Sequence, residues 1–554
     1  METRNCTKCH TDFILDSDDF GFYEKMGVPA PKICPDCRFK RRVVWRNERT
    51  LYKRNCDMCS RSIITMYNPS SPYTVYCNGC WASDKWDPAS YGLDYDKDKT
   101  FFEQLGELIK KVPKSATYSS PATGPNINSE YTNFAGGNKD GYLIFNSGPD
   151  NENCAYSRGI SHGRDVFDVY FAHEVERVYT CINVQKSANV AWAQNSNECV
   201  DSAFLLNCVS CQDCFGCINL RYKSYHFLNE QLSREEYKKK VEEIMGSYKK
   251  IEEFKEIFYK HSLKFPRRQN NNFKSVDCTG DYIFESKNCQ NCFEMTMCED
   301  MKHSCSIKFA KGCYDIFGHG RKAELMLEGI GIGLGQRVLG SWWVENSNDV
   351  EYSLAIRSSG YCFGCDALKG ASRFILNKQY DEKEYQELRR HIIEELKGID
   401  AYGIFLPPEL AMFAYNETIG QDNFPLTKEE AFAQGFRWED NVQKTVGKET
   451  IKPEDVPDRI DDVSDSITNE VFACIGCARN YKIIKPELAF YKRMKIPLPR
   501  KCFNCRFENL ILKRGEFRVY DRNCDKCGIE MKTSYSPEKP EIVYCEFCYQ
   551  REVI

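Results

Sequence analysis

The sequence lacks several features that define common protein classes. No apolar run approaches the roughly 18 residues that a membrane-crossing helix needs, and the first six residues contain no apolar leader. We therefore expect a protein without a membrane partner, in the reducing cytoplasm. The formal net charge of −4 argues against indiscriminate coating of nucleic acid. No Ser-His-Asp set or phosphate-binding glycine loop stands out, so an enzyme is the less favoured class.

What the 554-residue chain does have is cysteine, with 31 residues. Two matching sets of four C-x-x-C pairs lie near the ends, and each cysteine of the second set follows its counterpart by 468 positions, as Cys474 follows Cys6 (474 − 6). The two sets are Cys6, Cys9, Cys34, Cys37, Cys56, Cys59, Cys77 and Cys80, and Cys474, Cys477, Cys502, Cys505, Cys524, Cys527, Cys545 and Cys548.

These sets predict zinc. A C-x-x-C turn places two thiolates on one side of a tight loop, and a second turn completes a closed tetrahedral site with no position left for catalysis. We expect four structural Zn²⁺ sites of four cysteines each. Sequential pairing is the simplest, and a crossed pairing within each set stays open. Disulfides are the competing interpretation, but they need an oxidising compartment.

Each end resembles a zinc-ribbon domain family with the pattern C-x-x-C, an aromatic residue, Phe-Tyr, Pro and C-x-x-C-Arg. The first copy reads Cys6-Thr-Lys-Cys9, Phe13, Phe22-Tyr23, Pro29 and Cys34-Pro-Asp-Cys37-Arg38, and the second has Tyr481 in place of Phe13. The whole chain also resembles cysteine-rich zinc-ribbon proteins of metagenomic bacteria. The resemblance implies tandem zinc ribbons at both ends and no particular activity.

A basic strip between the two predicted zinc sites of the first set suggests a nucleic-acid partner. Residues 38–54 contain eight basic residues and one acidic residue, whereas residues 506–522 contain five and three. Cations interleaved with aromatic rings are typical of phosphate contacts with base stacking. The alternative is that these cations offset thiolate charge and cover apolar surface. The predicted contacts are Lys40, Arg41, Arg42, Trp45, Arg46, Arg49, Lys53 and Arg54.

The middle of the chain is a second repeat system. Between residues 141 and 229 short apolar runs recur every 12 residues, with Asn at 183, 195, 207 and 219. A fixed short period is the mark of a solenoid. We expect strands of five or six residues plus polar turns, stacked into a β-solenoid with Asn ladders, and leave the number of strands per coil open. A less regular second array ends like the first, since Cys362, Cys365 and Asn377 lie 148 residues after Cys214, Cys217 and Asn229.

The predicted fold is multidomain and mainly β, with zinc-ribbon modules flanking a duplicated β-solenoid that has capping helices. We expect helices from 234 to about 260 and from about 381 to 397, the first opened by a Ser233–Glu236 capping box. The predicted segments are 1–92 (zinc-ribbon module), 93–135 (connector with a short helix), 136–265 and 266–400 (arrays with capping helices), 401–470 (connector) and 471–554 (zinc-ribbon module).

Two further groups of residues are candidate sites. Cys208, Cys211, Cys214 and Cys217 lack the longer last gap and the proline of a ferredoxin run. We therefore disfavour an iron–sulfur cluster and leave core packing or extra metal open for these four and for Cys289, Cys292, Cys362 and Cys365. The second group, His162, Asp165, His173, Glu174 and Glu176, lacks zincin spacing, so catalysis there is disfavoured.

The favoured function is a non-enzymatic zinc-binding scaffold or adaptor that binds RNA or a ribonucleoprotein through the basic strip. The second hypothesis is a protein-interaction or self-assembling structural element in which zinc only stabilises the fold. An enzyme with a site on the solenoid is the third. The oligomeric state is left open.

Overall fold

The computed structural model describes residues 1–119, 123–442 and 444–554, so residues 120–122 of the predicted 93–135 connector and residue 443 of the predicted 401–470 connector lie outside it. The fold is multidomain and mainly β. The chain divides into two compact units. Unit 1 comprises Met1–Tyr118, Asn270–Val442 and Phe517–Val519, and unit 2 comprises Ser119–Gln269, Gln443–Glu516 and Tyr520–Ile554. Unit 1 thus joins the N-terminal module to the second array, and unit 2 joins the C-terminal module to the first array.

The two modules have equivalent short elements. Those of the N-terminal module are the strands Glu2–Asn5, Asp12–Leu15, Tyr52–Asn55, Ser62–Thr65 and Val75–Tyr76 and the helices Ser17–Met26, Pro35–Val43 and Asn78–Trp81. Those of the C-terminal module are the strands Phe472–Ala473, Asn480–Tyr481, Tyr520–Asn523, Glu530–Thr533 and Val543–Tyr544 and the helices Lys485–Met494, Phe503–Arg514 and Glu546–Val553.

The first array, called array 1 below, is a 13-stranded sheet. Its strands are Tyr131–Asn133, Asn138–Lys139, Tyr142–Phe145, Asn151–Glu152, Ala155–Phe167, Tyr170–Tyr179, Ile182–Gln185, Ala188–Ala191, Gln194–Asn197, Val200–Leu206, Gln212–Ile218, Ser224–Phe227 and Glu230–Gln231. From Ala155 to Phe227 most pairing is parallel and joins residues 12 apart, as in Tyr170–Ile182 and Ile182–Gln194. The predicted period is therefore the register of the sheet.

The local conformation of array 1 repeats every three residues. Positive φ recurs at every third position, for example at Thr180 (52°), Asn183 (51°) and Lys186 (47°). Buried apolar side chains occupy another third of the positions, as Val178, Cys181 and Val184 do at 0% exposure. Four such buried positions fit into each 12-residue period, whereas the sequence predicted a strand of five or six residues and a polar turn. Apolar spacing alone could not reveal this, because the left-handed positions carry many residue types.

The second array, called array 2, is a 12-stranded sheet with the same 12-residue register. Its strands are Gly280–Phe284, Lys287–Gln290, Cys292–Thr296, Glu299–Lys302, Cys305–Gly333, Gln336–Leu339, Trp342–Glu345, Asn348–Glu351, Leu354–Arg357, Gly360–Phe363, Ser372–Ile375 and Lys378–Gln379. Two consecutive residues with positive φ, Arg321 and Lys322, mark a one-residue insertion. It explains why equivalent positions in the arrays are 147 apart before it, as Asp315 and Asp168 are, and 148 apart after it.

Asparagine recurs in array 1 for two physical reasons. The Asn183 amide donates to Asn195 Oδ1 at 3.0 Å, and the Asn207 amide donates to Asn219 Oδ1 at 2.9 Å, so the predicted side-chain ladders form. All four residues also have φ between 51° and 58°. Asn tolerates this left-handed region better than most residues do. The ladder bonds join side chain to side chain, rather than to the orphaned backbone groups expected from the sequence.

The last strands of each array are closed in the same way. An antiparallel hairpin follows the parallel ladder, with Phe227 opposite Glu230 in array 1 and Ile375 opposite Lys378 in array 2. The hairpin asparagine then bonds the ladder's backbone: Asn229 Oδ1 accepts from Ile218 N at 2.9 Å, and Asn377 Oδ1 accepts from Asp366 N at 2.7 Å. Edge groups that would otherwise be unpaired are satisfied.

Helices follow both hairpins. Glu382–Gly398 matches its prediction closely. The expected helix from 234 to about 260 is two helices, Arg234–Ile244 and Tyr248–Ser262. Gly246 (φ 84°) ends the first, and Ser247 accepts a hydrogen bond from Lys250 N as the cap of the second. The further helices are Phe101–Lys111, Ile419–Asn423 and Lys428–Ala433. In the described part of the chain, no helix is long and apolar enough to cross a membrane.

Candidate metal centres

Four groups of four cysteines converge, two near each end of the chain. Within each group the Sγ atoms lie within 4.8 Å of one another. The groups are Cys6, Cys9, Cys34 and Cys37; Cys56, Cys59, Cys77 and Cys80; Cys474, Cys477, Cys502 and Cys505; and Cys524, Cys527, Cys545 and Cys548. The sequential pairing is therefore confirmed over the crossed one. All 31 cysteines are free thiols, so each group can hold a metal ion.

The same backbone hydrogen bond shapes all four groups. The N–H of the third cysteine donates to Sγ of the first at 3.2 Å in every case, as Cys34 N does to Cys6 Sγ and Cys502 N does to Cys474 Sγ. Burial raises the pKa of Cys474, but N–H donors, including those of Cys502 and Gly476, outweigh it and lower the pKa to about 7. Such donors favour the thiolate, which is the form that binds metal.

Each first quartet positions a helix against an array. In unit 1 the helix Pro35–Val43 starts directly after Cys34, with Pro35 at its first position, where a missing N–H costs nothing. This helix carries Arg38 and Arg42 into array 2. Arg38 Nη2 lies 2.9 Å from Asp315 Oδ2, and Arg42 Nη1 lies 2.7 Å from Glu328 Oε2.

These four side chains are no more than 2% exposed, so the ion pairs are screened little by water. Burial acts to raise the pKa of Asp315, but Arg38 and Arg42 hold it below its usual value. Burial raises the pKa of Glu328 to about 7. The network therefore depends on Arg38 and Arg42 staying in place.

Unit 2 repeats the arrangement with the C-terminal module and array 1. Arg506, 468 positions after Arg38, lies 2.9 Å from Asp168 Oδ2, and Asp168 is 147 positions before Asp315. Aromatic stacking is repeated as well. The rings of Phe22 and Tyr314 stack at 3.8 Å in unit 1, and the equivalent rings of Phe490 and Phe167 stack at 4.4 Å in unit 2.

The basic strip lies largely inside unit 1 rather than on its surface. Arg42, Trp45 and Arg46 are at most 1% exposed. Arg46 Nε donates to Glu48 at 2.7 Å, and the Trp45 carbonyl accepts from Trp342 Nε1 at 2.8 Å. The prediction of nucleic-acid contacts is wrong for these three residues, because a buried guanidinium or indole cannot reach a phosphate or a base.

The other predicted contacts are mostly engaged within the unit. Arg41 donates to the Phe405 carbonyl at 2.7 Å, Arg49 pairs with Asp422, and Arg54 pairs with Asp57 at 2.9 Å. Lys40 lies over the Phe424 ring at 5.3 Å. Of the eight, Lys53 alone is exposed. The basic excess of the N-terminal copy therefore serves packing as well as charge.

The predicted group of His162, Asp165, His173, Glu174 and Glu176 is divided between an exposed surface and a buried contact. His173 Nδ1 lies 2.9 Å from Ser161 Oγ, and His173 Nε2 lies 3.2 Å from Glu174, on an exposed part of array 1. Asp165 is buried and pairs instead with Arg493 of the C-terminal module at 3.1 Å. The five residues therefore do not form one enclosed site.

Sequence reasoning missed the role of Arg38, Arg506, Asp168 and Asp315 as the buried contacts between module and array. A signal was present, since the arginine follows the second C-x-x-C pair in both copies. The aspartates repeat at a spacing of 147, one less than the 148 that marks the array ends. Only the structure shows that these two repeats meet.

Comparison with known proteins identifies no family. No family model matches the chain, and no curated protein matches it. One of the matched solved structures, described as an unconfirmed acetyltransferase from Desulfovibrio desulfuricans G20, is 6% identical. The match covers 52% of this chain and 76% of that chain, with a TM-score of 0.09. This likeness is too weak to inform fold or function.

Proposed function

We propose that the protein is a non-enzymatic scaffold whose four cysteine quartets hold structural Zn²⁺. Four converging thiolates fill a tetrahedral shell and leave no open position for a substrate. Each ion would fix one C-x-x-C turn against another, and in the first quartet of each module it would also fix the start of the helix that carries Arg38 or Arg506. The zinc would therefore act as a clamp between module and array.

We further propose that each array winds as a β-solenoid of 12 residues per coil with four inward side chains. Parallel pairing at a constant 12-residue register, inward residues every third position and left-handed residues between them support this winding. A solenoid supplies a stiff, extended surface, which suits a scaffold better than it suits an enclosed active site.

The observation that carries the proposal is the duplicated buried contact between module and array. Evolution of a catalytic site would not require the same Arg–Asp pair and stacked rings in both units. A rigid body stabilised at two places would require them. The contact also explains why the metal groups occur at both ends of the chain, since each array has its own module.

Metal analysis of the purified protein tests the zinc assignment. We expect four zinc ions per chain. Replacing Cys56, Cys59, Cys474 and Cys477 by Ser disrupts two quartets and should leave two ions. A folded protein that holds far fewer than four ions, or quartets that prove to be disulfide-bonded, would refute the assignment.

Binding of RNA stays a separate prediction, and its test must leave the buried arginines unchanged. Replacing Arg42 or Arg46 would disturb the interior of unit 1, so loss of binding in such variants would be uninformative. The double variant Lys40→Glu/Lys53→Glu is suitable, because Lys53 is exposed and Lys40 is half-buried. Anisotropy with single-stranded RNA at low salt should show no binding by the wild type if the scaffold contacts protein only. Tight binding that both substitutions abolish would restore the RNA hypothesis.

A protein partner is favoured by the surface of array 2. Met297 directly follows the strand Cys292–Thr296, and Phe309, 12 residues later, lies in the neighbouring strand Cys305–Gly333; they are 48% and 47% exposed. The equivalent positions of array 1, 147 residues earlier, are Asp150 and His162. An exposed apolar pair in place of a polar one suits a protein surface. Met297→Asp with Phe309→His should weaken any self-association measured by light scattering, and an unchanged oligomer would exclude this surface.

A further inference from the structure

The two ends of array 2 differ in how their backbone groups are satisfied. The last strands are closed by an antiparallel hairpin. The first residues, 270–279, are called the opening segment below, and they pair with the repeat that follows. Phe273 N donates to Ile283 O at 2.9 Å, and Val276 N donates to Ser286 O at 3.0 Å. The described part of the sheet has no strand before this segment.

The following repeat shows which donors of the opening segment are left over. In that repeat Glu285 N and Asn288 N donate back to carbonyls of the opening segment, at 2.9 and 3.0 Å. The equivalent residues 11 positions earlier are Lys274 and Asp277 (285 − 274 and 288 − 277), which have matching φ values of 50° and 51°. Within the described residues the N–H groups of Lys274 and Asp277 have no acceptor.

Three carbonyls of the opening segment are left over in the same way. In the following repeat each equivalent carbonyl accepts a hydrogen bond from the opening segment; these acceptors are Ile283, Ser286 and Cys289. Their equivalents at the edge, Asn272, Ser275 and Cys278, have no donor among the described residues. Free donors and acceptors therefore alternate along the edge. A free edge of this kind is a template for pairing with another chain.

The side chains at this edge are also unlike those behind it. Val276 is 58% exposed. The next three residues in register with it are charged, and they are Lys287, Glu299 and Lys311. Phe273, beside Val276 on the opening segment, is 54% exposed. Apolar side chains that are exposed only at the end of a charged row indicate a surface that a partner covers.

Array 1 provides a natural comparison, because its first repeat is built in the same way. Ile127 N donates to the following repeat at 2.8 Å and Ile127 O accepts from it at 3.0 Å, as the N and O of Val276 do, and Ile127 is also 58% exposed. Two residues before it, however, array 1 has Pro125 where array 2 has Lys274. Proline has no N–H and is one of the residues with which proteins block an edge. Array 2 has no such block.

We propose that a second copy of this chain covers the open edge of array 2, in a twofold-symmetric dimer whose opening segments pair antiparallel about Val276. Reversing the chain about this residue exchanges donors and acceptors. The Lys274 N–H of one copy then meets the Cys278 carbonyl of the other, and the Asp277 N–H meets the Ser275 carbonyl. The two Val276 side chains lie against each other at the axis.

Charge favours the same arrangement. In antiparallel pairing about Val276, Lys274 of one copy lies diagonally across from Asp277 of the other, and opposite charges in such positions attract. Both side chains are exposed. Lys274 also lies 3.6 Å from Glu285, but this contact is exposed and contributes little. Since the hairpin closes the other end of array 2, copies cannot stack head to tail, and an isologous contact stops at two.

Sedimentation velocity of the full-length, zinc-loaded protein over a dilution series tests the proposal. We expect a dimer that dissociates on dilution. Val276→Lys should raise its Kd by at least about 100-fold, because two lysines would meet at the axis. The variant should fold, since Lys287 already occupies the equivalent position. Ile127→Lys is the matched control: Lys139 follows it in register, and the variant should leave the Kd unchanged.

A cross-link tests the position of the axis. With glutathione disulfide as oxidant, Val276→Cys should give a chain pair joined by one S–S bond, while two thiol protons and two electrons pass to glutathione. Ile127→Cys and the wild type should remain unlinked under the same conditions. This pair of variants also decides the matter if Val276→Lys does not fold.

A wild type that stays monomeric at every concentration would overturn the proposal, and so would equal Kd values for Val276→Lys and Ile127→Lys. A dimer that Met297→Asp/Phe309→His dissociates and Val276→Lys does not would place self-association on another surface and would also overturn it. The inference goes beyond the metal-held scaffold and does not depend on it, because the opening segment contains no residue of the four quartets. The zinc content of the same samples therefore tests the metal assignment separately.

Discussion

The two units make the same contact with different polar content. Both place an arginine of the module's helix against an aspartate of the array, Arg38 with Asp315 in unit 1 and Arg506 with Asp168 in unit 2. Unit 1 adds a second pair, Arg42 with Glu328. In unit 2 the position equivalent to Arg42 is Leu510, and the position equivalent to Glu328 is Thr180.

This difference shows which part of the contact is general. The arginine–aspartate pair and the stacked rings are present twice, so they define how a module attaches to an array. The second ion pair is present or absent as a whole. A buried pair that loses only one partner leaves an unpaired charge, whereas replacing both partners can be neutral. The two units are therefore a natural comparison of a charged and an uncharged pair of residues at one site.

The largest expected effect comes from removing the clamp of one unit. Cys34→Ser/Cys37→Ser should release one metal ion and unfold the N-terminal module, because structural zinc contributes about 10–16 kcal/mol of apparent binding free energy. Hydrogen exchange should show loss of protection in the helix Pro35–Val43 and retention in Phe503–Arg514. Cys502→Ser/Cys505→Ser should give the reverse pattern. Simultaneous loss in both helices would show that the units are not independently clamped.

A smaller effect is expected from converting unit 1 toward unit 2. Arg42→Leu alone should destabilise unit 1 by about 3–5 kcal/mol, because it leaves the Glu328 carboxylate buried without its closest partner. The double variant Arg42→Leu/Glu328→Thr should recover most of that loss. Urea unfolding measures both. Destabilisation by the double variant equal to or larger than that by the single one would contradict the equivalence of the two sites.

A third comparison concerns acid stability. Burial lowers the pKa of His303 in array 2 to about 3, and the equivalent residue of array 1 is Tyr156. Between about pH 3 and pH 6.5 the unfolded histidine binds a proton that the folded one does not. This term therefore weakens unit 1 as the pH falls through that range.

The variant His303→Tyr isolates this term. Relative to the wild type, it should gain stability on going from pH 7.5 to pH 5.5 in urea unfolding. Glu328, with its raised pKa of about 7, acts in the opposite direction, but it is present in both proteins, as are the metal sites. A wild type and variant that respond equally to pH would exclude a role for His303.

The smallest effect concerns the residues of array 1 that have left-handed backbone conformation. Asn195, with φ 52°, bonds Asn183 at 3.0 Å, whereas the equivalent position in array 2 is Trp343 with φ 55°. Asn195→Gly keeps the backbone conformation and removes the bond, so it should cost about 1 kcal/mol. Asn195→Val adds backbone strain and should cost about 1–3 kcal/mol more. Equal thermal stability of the two variants would argue against a conformational role for this asparagine.

The sequence predicted what repeats locally, and it failed where distant segments meet. Cysteine spacing identified all four quartets, and the 12-residue period identified the register of array 1. The pairing of each module with the more distant of the two arrays leaves no pattern within a single segment of the sequence. For the same reason Arg42 and Arg46 resemble part of a surface strip in the sequence. Glu328, which lies buried beside Arg42, is far from both in sequence.

The most direct test of the account is removal of metal from the wild-type protein. After chelation, hydrogen exchange should rise in the helices that carry Arg38 and Arg506, while the inward residues of both arrays stay protected. That result would identify the metal as the clamp between module and array. Full protection of both helices in metal-free protein would contradict the account.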